Sequence, residues 1–168
     1  MKFTVRPASA ADALGLARVH VESWRESYRG LMADEVLDDP SFIIRREQFW
    51  TAALTDARFT RHAVAAAILD GEIVGVAMAG PATPEGPAWE KQLYVLYTYA
   101  AVHGQGAGAE LLSAVIDPRD SVALWVADPN PRAQAFYRKH GFDFDGTSKV
   151  EGGVRELRMT RLPDGPSR

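Results

Sequence analysis

Alternating apolar and polar residues predict seven strands along this chain. The segment KFTVR alternates and stops at Pro7, which predicts a first strand over residues 2 to 6. The next two strands are the apolar runs HAVAAAIL and EIVGVAMAG, which Asp70 and Gly71 join. Because both residues of such a dipeptide tolerate positive φ, this junction predicts an antiparallel hairpin. Four later segments have the composition of strands: WEKQLYVLYTY, SVALWVA, FDFDGTSKV and VRELRMTRL.

Helical periodicity and capping residues predict helices between these strands. Ser9 and Asp12 form a capping-box pattern before a helix that runs to about Tyr28. A short helical turn, MADEVLDDP, and a second amphipathic helix, SFIIRREQFWTAAL, follow it. The later helices are GAELLSAVI and NPRAQAFYRKHG, and the second of these begins at the N-cap Asn130 and stops at Gly141.

The order of these elements predicts one domain of mixed α/β class over residues 1–168. The order is β-α-α-α-β-β-β-α-β-α-β-β, with no internal repeat and no linker. The segment from 91 to 127 has the strand-helix-strand arrangement that makes two strands parallel. We therefore predict an α+β mixed sheet of about seven strands that is mostly antiparallel and flanked by helices. The tail 163–168 is expected to be disordered.

The composition changes this picture by excluding several kinds of partner. The 168 residues carry a formal net charge of −3, so the chain lacks the basic excess that nucleic acid binding usually requires. The absence of cysteine excludes disulfides, thiolate metal sites and a thiol nucleophile. The four histidines form no ligand-spaced cluster with carboxylates, so no metal is implied.

Hydropathy and the start of the chain bear on its location. No stretch approaches the length of apolar sequence that spans a membrane, and the first residues do not resemble a secretory signal. We therefore expect no membrane partner and a cytoplasmic protein. The sequence leaves the oligomeric state open, and a homodimer is among the states that it allows.

The stretch YAAVHGQGAGAELL holds Gly104, Gly106 and Gly108 between a predicted strand and a predicted helix. The first N–H groups of a helix have no intrahelical partner, and the helix dipole makes that end positive. Glycines there let the backbone approach a phosphate closely. Three alternating glycines exceed what a simple connection needs, so we predict a phosphate cradle.

Three phosphate-binding schemes compete for this turn. A P-loop needs Gly-Lys followed by Ser or Thr, and the chain has no such triplet. The dinucleotide fingerprint is matched by Gly104, Gly106 and Ala109, with Asp128 at the end of the next strand as a candidate ribose ligand. Two features argue against a dinucleotide site. Several residues separate the strand from the first glycine, and the chain lacks the further β-α repeats that a doubly wound sheet requires. The third scheme is a coenzyme A pyrophosphate site.

Three segments carry a resemblance to a known family. The stretch LYTYAAVHGQGAGAELL is similar to the acyl-CoA-binding signature of the GNAT superfamily of N-acyltransferases, and NPRAQAFYRKHGF is similar to a later element of the same superfamily. The opening VRPASAADALGLARVHVESWRESYRGLM also resembles the first strand and helix common there. The resemblance spans about residues 3 to 162. One departure is His103, which stands where the signature usually has Arg or Gln.

This resemblance implies a site for acetyl-CoA between the fourth and fifth strands. In the superfamily these parallel strands splay apart, and the pantetheine arm lies between them. Main-chain groups of Leu96, Tyr97 and Thr98 would bind the arm. Asn130 is a candidate cofactor contact and equally a plain helix cap. The residues expected to hold the diphosphate are His103, Gly104, Gln105, Gly106, Ala107 and Gly108.

The resemblance also implies how the reaction would proceed. Tyr137 occupies the motif position whose phenol is the usual acid, and as an alternative it is a plain core residue. The strand position that carries a glutamate base in histone-type members is Gln92 here, so Glu90 becomes the candidate base, acting directly or through a water. A solvated carboxylate is the other interpretation of Glu90. The candidate acceptor-binding residues are Trp24, Tyr28, Gln92 and Tyr94. The aromatic faces of Trp24 and Tyr28 suit an amine through cation–π attraction, and core packing remains open for Trp24.

The sequence thus predicts an acyl-CoA-dependent N-acetyltransferase. It would move an acetyl group from acetyl-CoA to a primary amine of a small molecule or an exposed peptide by direct attack, with no metal. Two alternatives stay open. One is a catalytically silent acyl-CoA-binding sensor, and the other is a nicotinamide dinucleotide-binding protein.

Overall fold

A seven-stranded mixed sheet organises the computed structural model, which describes residues 2–82 and 89–163. The strands are β1 (Thr4–Pro7), β2 (Ala63–Leu69), β3 (Glu72–Pro81), β4 (Lys91–Thr98), β5 (Val122–Ala127), β6 (Asp143–Glu151) and β7 (Val154–Arg161). The helices are α1 (Ala13–Tyr28), α2 (Asp34–Leu37), α3 (Ser41–Thr55), α4 (Ala107–Val115) and α5 (Pro131–Lys139).

The strand order is β1-β2-β3-β4-β5-β7-β6. Among the described strands, β4 and β5 form the one parallel pair, and every other neighbouring pair is antiparallel. The mixed seven-stranded architecture predicted from the sequence is therefore confirmed. A doubly wound sheet of the dinucleotide-binding kind needs several parallel neighbours, which this part of the chain does not provide.

Two hydrophobic layers hold the helices on the two faces of the sheet. On one face, α1 and α3 pack on the central strands and completely bury Leu16 and Trp50. On the other face, α4 and α5 pack through Leu111 and Tyr137 against strand residues that include Met159. Each large apolar side chain removed from water contributes about 1.5–3 kcal/mol to folding. This packing fixes the two helices that follow β4 and β5.

Local signals in the sequence account for several element boundaries. Asp70 and Gly71 both take positive φ, 52° and 82°, in the turn between β2 and β3, as the hairpin prediction requires. The main-chain N–H of Ser9 donates a hydrogen bond to Oδ2 of Asp12 at 2.7 Å, which confirms the predicted capping box. Arg6 holds the same carboxylate at 2.7 and 3.0 Å and so ties β1 to the first helix.

The predicted starts of two strands were wrong by two residues, and the predicted disordered tail lies mostly outside the described residues. The first strand covers Thr4–Pro7 rather than residues 2 to 6, because an edge strand tolerates proline's missing N–H. β4 begins at Lys91, two residues later than predicted, and Glu90 precedes it as an exposed residue. The predicted disordered tail lies outside the described residues from position 164 onward.

β4 and β5 diverge after a short paired segment. Their pairs are Lys91 with Val122, Gln92 with Ala123, and Leu93 with Leu124, and neither 94–98 nor 125–127 continues the pairing. The register of β4 against β3 shifts at the same level, since Leu93 pairs with Ala79 and Val95 with Met78. Tyr94 is thus the extra residue of a β-bulge, which bends its strand and increases its twist. The bulge turns β4 away from β5.

The described part of the chain has neither a membrane-spanning helix nor a cluster of metal-binding side chains. None of the helices in residues 2–82 and 89–163 has the length and apolar character needed to cross a membrane. Within the same residues, no group of three or more histidine, aspartate or glutamate side chains is placed to hold a metal ion.

Candidate active site

The divergence of β4 and β5 opens a cleft of about 640 Å³. Its walls are the separated ends of the two strands, the glycine turn before α4 and one face of α5. The predicted site residues that line it are Tyr28, Tyr94, Leu96, Tyr97, Thr98, His103, Gly104, Gly106, Ala107, Gly108, Asn130 and Tyr137. Residues far apart in the chain, from α1 to α5, therefore meet at one cleft.

The glycine turn at one end of the cleft requires glycine for its backbone conformation. Gly104 and Gly106 take φ of 76° and 93°, a region that other residues adopt at a cost. A Cβ atom added at either position would meet nothing within 4 Å, so crowding is not the reason. Gly106 is the N-cap of α4, and the first N–H groups of α4 follow it at the cleft. This arrangement can bind an anionic group through main-chain donors.

The surroundings of this turn are basic and partly buried. Arg132, at the start of α5, also lines the cleft. Burial lowers the pKa of His103, and the positive charge of Arg132 lowers it further, so His103 is neutral near pH 7. The side-chain amide of Gln105 donates to the carbonyl oxygen of Ala101 at 3.2 Å and does not line the cleft.

Tyr137 lies in the wall of the cleft on α5, with 8% of its surface exposed. Its ring packs edge-on against Phe136 and Phe142 at centroid distances of 5.4 and 5.8 Å. Burial raises the pKa of the Tyr137 phenol, and Tyr97 adds to the rise. The phenol is therefore protonated at neutral pH and can donate a proton, which a general acid must do.

Asn130 acts as the N-cap of α5, because its Oδ1 accepts the N–H of Ala133 at 3.2 Å. Pro131 follows at the first helical position, as the sequence pattern indicated. The capping role is thus present in the structure. The Asn130 side chain also lines the cleft, so the cofactor contact stays a prediction.

Of the residues predicted to bind the acceptor, some line the cleft and others lie outside its wall. Tyr28 lines the cleft, and burial followed by nearby tyrosine and glutamate charges raises its pKa. Tyr94 lines it too, but its hydroxyl is held by the carbonyl oxygen of Pro81 at 2.6 Å. Trp24 is not part of the wall and packs against the rings of His20, Tyr28 and Phe42.

Gln92 and Glu90 also lie outside the wall of the cleft. Gln92 pairs with Gly80 on one side and Ala123 on the other, where β4 and β5 still run together. The N–H of Glu90 is 3.2 Å from the carbonyl oxygen of Ser121 and 2.9 Å from its hydroxyl. Because Glu90 precedes β4, the strand alternation that placed it on the face of Gln92 does not apply to it.

Several residues of the cleft were not singled out from the sequence. Ser23 stands four residues before Ser27 on α1, and its hydroxyl donates to the carbonyl oxygen of Thr98 at 3.3 Å. This contact ties α1 to the end of β4. The spacing of the two serines on one helix face was the signal for them. The missed residues of β5, of α5 and of the position after α5 include Trp125, Arg132, Lys139 and His140.

Comparison with known proteins identifies the family. The family described as Acetyltransferase (GNAT) matches residues 18–142, which is most of the chain and includes the glycine turn and α5. The protein therefore belongs to the GNAT acetyltransferase family. The matched residues include β4, α4, β5 and α5, the elements that border the cleft.

Curated relatives carry the same class of name. The chain is 29% identical over 133 residues to the uncharacterized N-acetyltransferase YuaI of Bacillus subtilis, an alignment that covers 76% of this chain and 73% of the relative. It is 28% identical over 148 residues to the probable N-acetyltransferase Rv2775 of Mycobacterium tuberculosis, with coverages of 84% and 80%.

Solved structures share the fold. The paiA N-acetyltransferase of Thermoplasma acidophilum, crystallised with coenzyme A, superposes with a TM-score of 0.75 at 18% identity, over 96% of this chain and 99% of that one. A histone acetyltransferase HPA2 and related acetyltransferase of Corynebacterium glutamicum gives 0.73 at 23% identity, over the full length of both chains.

Proposed function

We propose that this protein transfers an acetyl group from acetyl-CoA to a primary amine of a small molecule or an exposed peptide. The observation that carries the proposal is the separation of β4 from β5 after Leu93 and Leu124. Strands that stayed paired to their ends would leave no room for a pantetheine arm. The separated ends expose main-chain N–H and C=O groups of residues 94–98 that can bind one.

The two ends of the cleft fit the two parts of coenzyme A. The glycine turn and the start of α4 offer main-chain donors and a positive helix end to the diphosphate, and Arg132 adds a full charge. The apolar wall formed by Leu96 and Val126 suits the pantetheine arm. His103 is neutral, so its ring can contribute a hydrogen bond but no charge. We place the diphosphate at the backbone of residues 103–108.

The proposed chemistry is direct attack by a neutral amine on the thioester. A main-chain N–H of β4 near Leu96 and Tyr97 would polarise the thioester carbonyl, and such a donor typically lowers the barrier by about 3 to 4 kcal/mol. The Tyr137 phenol, buried and protonated, supplies the proton that the departing thiolate needs. With the acid and main-chain donors present, the reaction requires no covalent enzyme intermediate.

The acceptor would approach from the side of α1. Tyr28 and Tyr97 present aromatic rings there, and aromatic faces attract ammonium groups through cation–π interactions. Trp24 does not line the cleft, but its ring packs against that of Tyr28 and so helps to hold Tyr28 in position. Tyr94 lies farther toward the paired end of the strands, where the acyl group would reach it, and Gln92 lies beyond it in the paired segment, outside the wall of the cleft.

The second candidate is an acyl-CoA sensor without catalytic activity. The observation in its favour is that Gln92 cannot act as a base and that Glu90 is exposed outside the wall of the cleft. A sensor would keep the cradle and the separated strands but would release no thiol. The dinucleotide-binding alternative would use the same turn for a different ligand.

Two measurements separate these functions. Thermal-shift titration with coenzyme A should raise the melting temperature, and titration with NAD should not; the reverse result would contradict the coenzyme A site. Release of free thiol from acetyl-CoA should then be assayed with alkylamines, arylalkylamines, amino acids and short lysine-containing peptides. Thiol release that depends on an added amine supports the transferase, whereas binding without release from any of them supports the sensor.

A further inference from the structure

A half-buried carboxylate that the sequence analysis did not consider stands beside the cleft. Glu156 of β7 pairs directly with Ala127, the last residue of β5, which lines the cleft. Its neighbour Leu157 packs into the layer beneath α4 and α5. Since side chains alternate along a strand, Glu156 lies on the opposite face of the sheet, the face that α1 covers.

The end of α1 and the turn between β6 and β7 frame this part of the sheet. Tyr28, the last residue of α1, lines the cleft, and Met32 follows in the next loop. A Cβ atom at Gly152, in the β6–β7 turn, would lie 3.9 Å from Cε of Met32, so the turn and the loop are neighbours. Glu156 does not itself line the cleft, but it pairs with the lining residue Ala127, on the face of the sheet that α1 covers.

The ionic partners of Glu156 leave it weakly paired. Among the described residues its one ion-pair partner is Lys149, with Nζ 3.5 Å from Oε2. The same ammonium is 2.8 Å from Oε2 of Glu151 and stands 4.6 Å from the Trp125 ring. The lysine is thus closer to Glu151, whose side chain is 70% exposed, than to Glu156, whose side chain is 22% exposed.

Electrostatic effects connect this carboxylate to the tyrosines of the cleft. Burial raises the pKa of Glu156, Lys149 opposes the rise, and the charge of Glu151 adds to it. Burial also raises the pKa of Tyr28 and of Tyr97, and the charge of Glu156 contributes to both increases. The carboxylate is therefore within electrostatic reach of two phenols at the cleft. A carboxylate whose pKa moves up toward neutrality is a better proton acceptor for catalysis.

We propose that the Glu156 carboxylate binds the ammonium group of the acceptor and accepts one proton from it, which makes Glu156 the base of the proposed acetyl transfer. This inference rests on the function proposed above. It assigns the acceptor class as a primary amine that is cationic in solution. On this face of the sheet, Glu156 offers that amine a negative charge, and Tyr28 and Tyr97, on which that charge acts, offer aromatic rings.

The proton balance of the step closes with these residues. The ammonium gives one proton to Glu156, and the neutral amine nitrogen then forms a bond to the thioester carbon. The carbon–sulfur bond breaks, and the thiolate takes the proton of Tyr137. The new amide nitrogen loses its surplus proton to the Tyr137 phenolate, and Glu156 returns its proton to solvent. The products are the amide, free thiol and one proton.

The test compares Glu156→Gln with Glu72→Gln, which alters an exposed carboxylate at the start of β3, outside the group formed by Glu156, Lys149 and Glu151. With the best alkylamine of the panel at pH 7, we expect Glu156→Gln to lower kcat/KM by about 10²-fold or more, as loss of a general base does. Glu72→Gln should stay within about threefold of the wild type, since Glu72 is exposed and does not line the cleft. Coenzyme A affinity, measured by titration calorimetry, should be unchanged in both, which also verifies that the variants are folded.

A second readout separates a base from a structural residue. A fluorinated analogue of the same alkylamine has a more acidic ammonium, so more of it is already neutral at pH 7. The loss caused by Glu156→Gln should shrink at least about tenfold with this analogue. In the variant, the acid limb due to Glu156 should be replaced by a rate that rises with pH as the fraction of neutral amine rises.

Each outcome decides between the two proposals. An active wild type whose kcat/KM and pH profile survive Glu156→Gln would overturn the role of Glu156 and leave the transferase intact. Equal losses with both amines would also overturn it, because a structural defect affects them alike. A wild type that releases no thiol with any amine would overturn the transferase function and this inference with it.

Discussion

Leu93 of β4 lies opposite Leu124 of β5, and this pair is the last that the two parallel strands share. Tyr94, the bulged residue of β4, follows it directly and turns β4 toward β3 and away from β5. The position of the cleft is therefore set by one inserted residue in the register between β3 and β4. The Tyr94 hydroxyl, bonded to the carbonyl oxygen of Pro81, fixes that bend in place.

The cradle at the start of α4 should fail when Gly106 carries a side chain. Gly106→Val places a branched side chain at φ 93°, beside the main-chain donors, and should weaken coenzyme A binding by at least about tenfold, or 1.4 kcal/mol. Calorimetric titration with coenzyme A measures this loss of affinity. Gly71→Val is the matched control, because Gly71 has a similar φ of 82° in the hairpin far from the cleft. Both variants should lose about 1–2 kcal/mol of stability. An unchanged affinity in Gly106→Val would reject the cradle.

Removing the Tyr137 hydroxyl should slow turnover and leave binding intact. Tyr137→Phe keeps the ring that packs against Phe136 and Phe142 but removes the proton, so kcat should fall by about 10²-fold. Tyr99→Phe is the control, since Tyr99 does not line the cleft and should retain wild-type turnover. Steady-state thiol release gives kcat, and equal rates for the wild type and Tyr137→Phe would show that another group is the acid.

The charge of Arg132 should contribute to cofactor affinity. Arg132 lines the cleft near His103, whereas Arg138 on the same helix does not line it and stands 3.9 Å from Asp143. Arg132→Gln should weaken coenzyme A binding by about tenfold and reduce its dependence on salt, as loss of a charged phosphate contact does. Arg138→Gln should change neither the affinity for coenzyme A nor its dependence on salt. Titrations at two salt concentrations test this, and equal affinities for both variants would place the phosphates elsewhere.

Stability should fall with acid because of His20. Burial, with a smaller contribution from the charge of Arg46, lowers the pKa of His20 from 6.5 to about 3. The folded state therefore stays unprotonated where the unfolded chain takes up a proton. The contribution of neutral His20 to the free energy of unfolding is complete above pH 6.5. It decreases by up to about 1.4 kcal/mol per pH unit as the pH falls toward 3.

Urea unfolding at pH 7 and pH 5 measures this effect. His20→Leu removes the titrating ring from its position against Trp24, Trp50 and Tyr97, so the variant should lose less stability between the two pH values than the wild type. If the wild type and the variant lose the same amount, the acid sensitivity has another origin.

The sequence predicted the parts of the fold that local signals determine. The hairpin at Asp70 and Gly71, the cap at Asn130 and the glycine turn each depend on a few adjacent residues with distinct conformational preferences. The order of elements then limited the sheet to one parallel pair. These features were enough to place most cofactor-side residues in one cleft.

The acceptor side was harder to predict because it depends on contacts between distant elements. Glu90 was linked to Gln92 by strand alternation, but the strand begins only at Lys91, and Tyr94 breaks the alternation further along. Glu156 belongs to β7, which the sequence analysis did not connect with the site, and it adjoins the cleft only through its pairing with the lining residue Ala127. No short motif marks such a residue.

The short contact between β4 and β5 also has a mechanical consequence. Four strands on one side and three on the other meet through only three residue pairs. The seam at the centre of the molecule is thus the weakest line in the sheet, and a pantetheine arm laid along it would supply hydrogen bonds that the protein itself omits. The pantetheine arm would then join β4 to β5 in one continuous sheet. Binding of coenzyme A should therefore make the whole domain more rigid, in addition to filling the cleft.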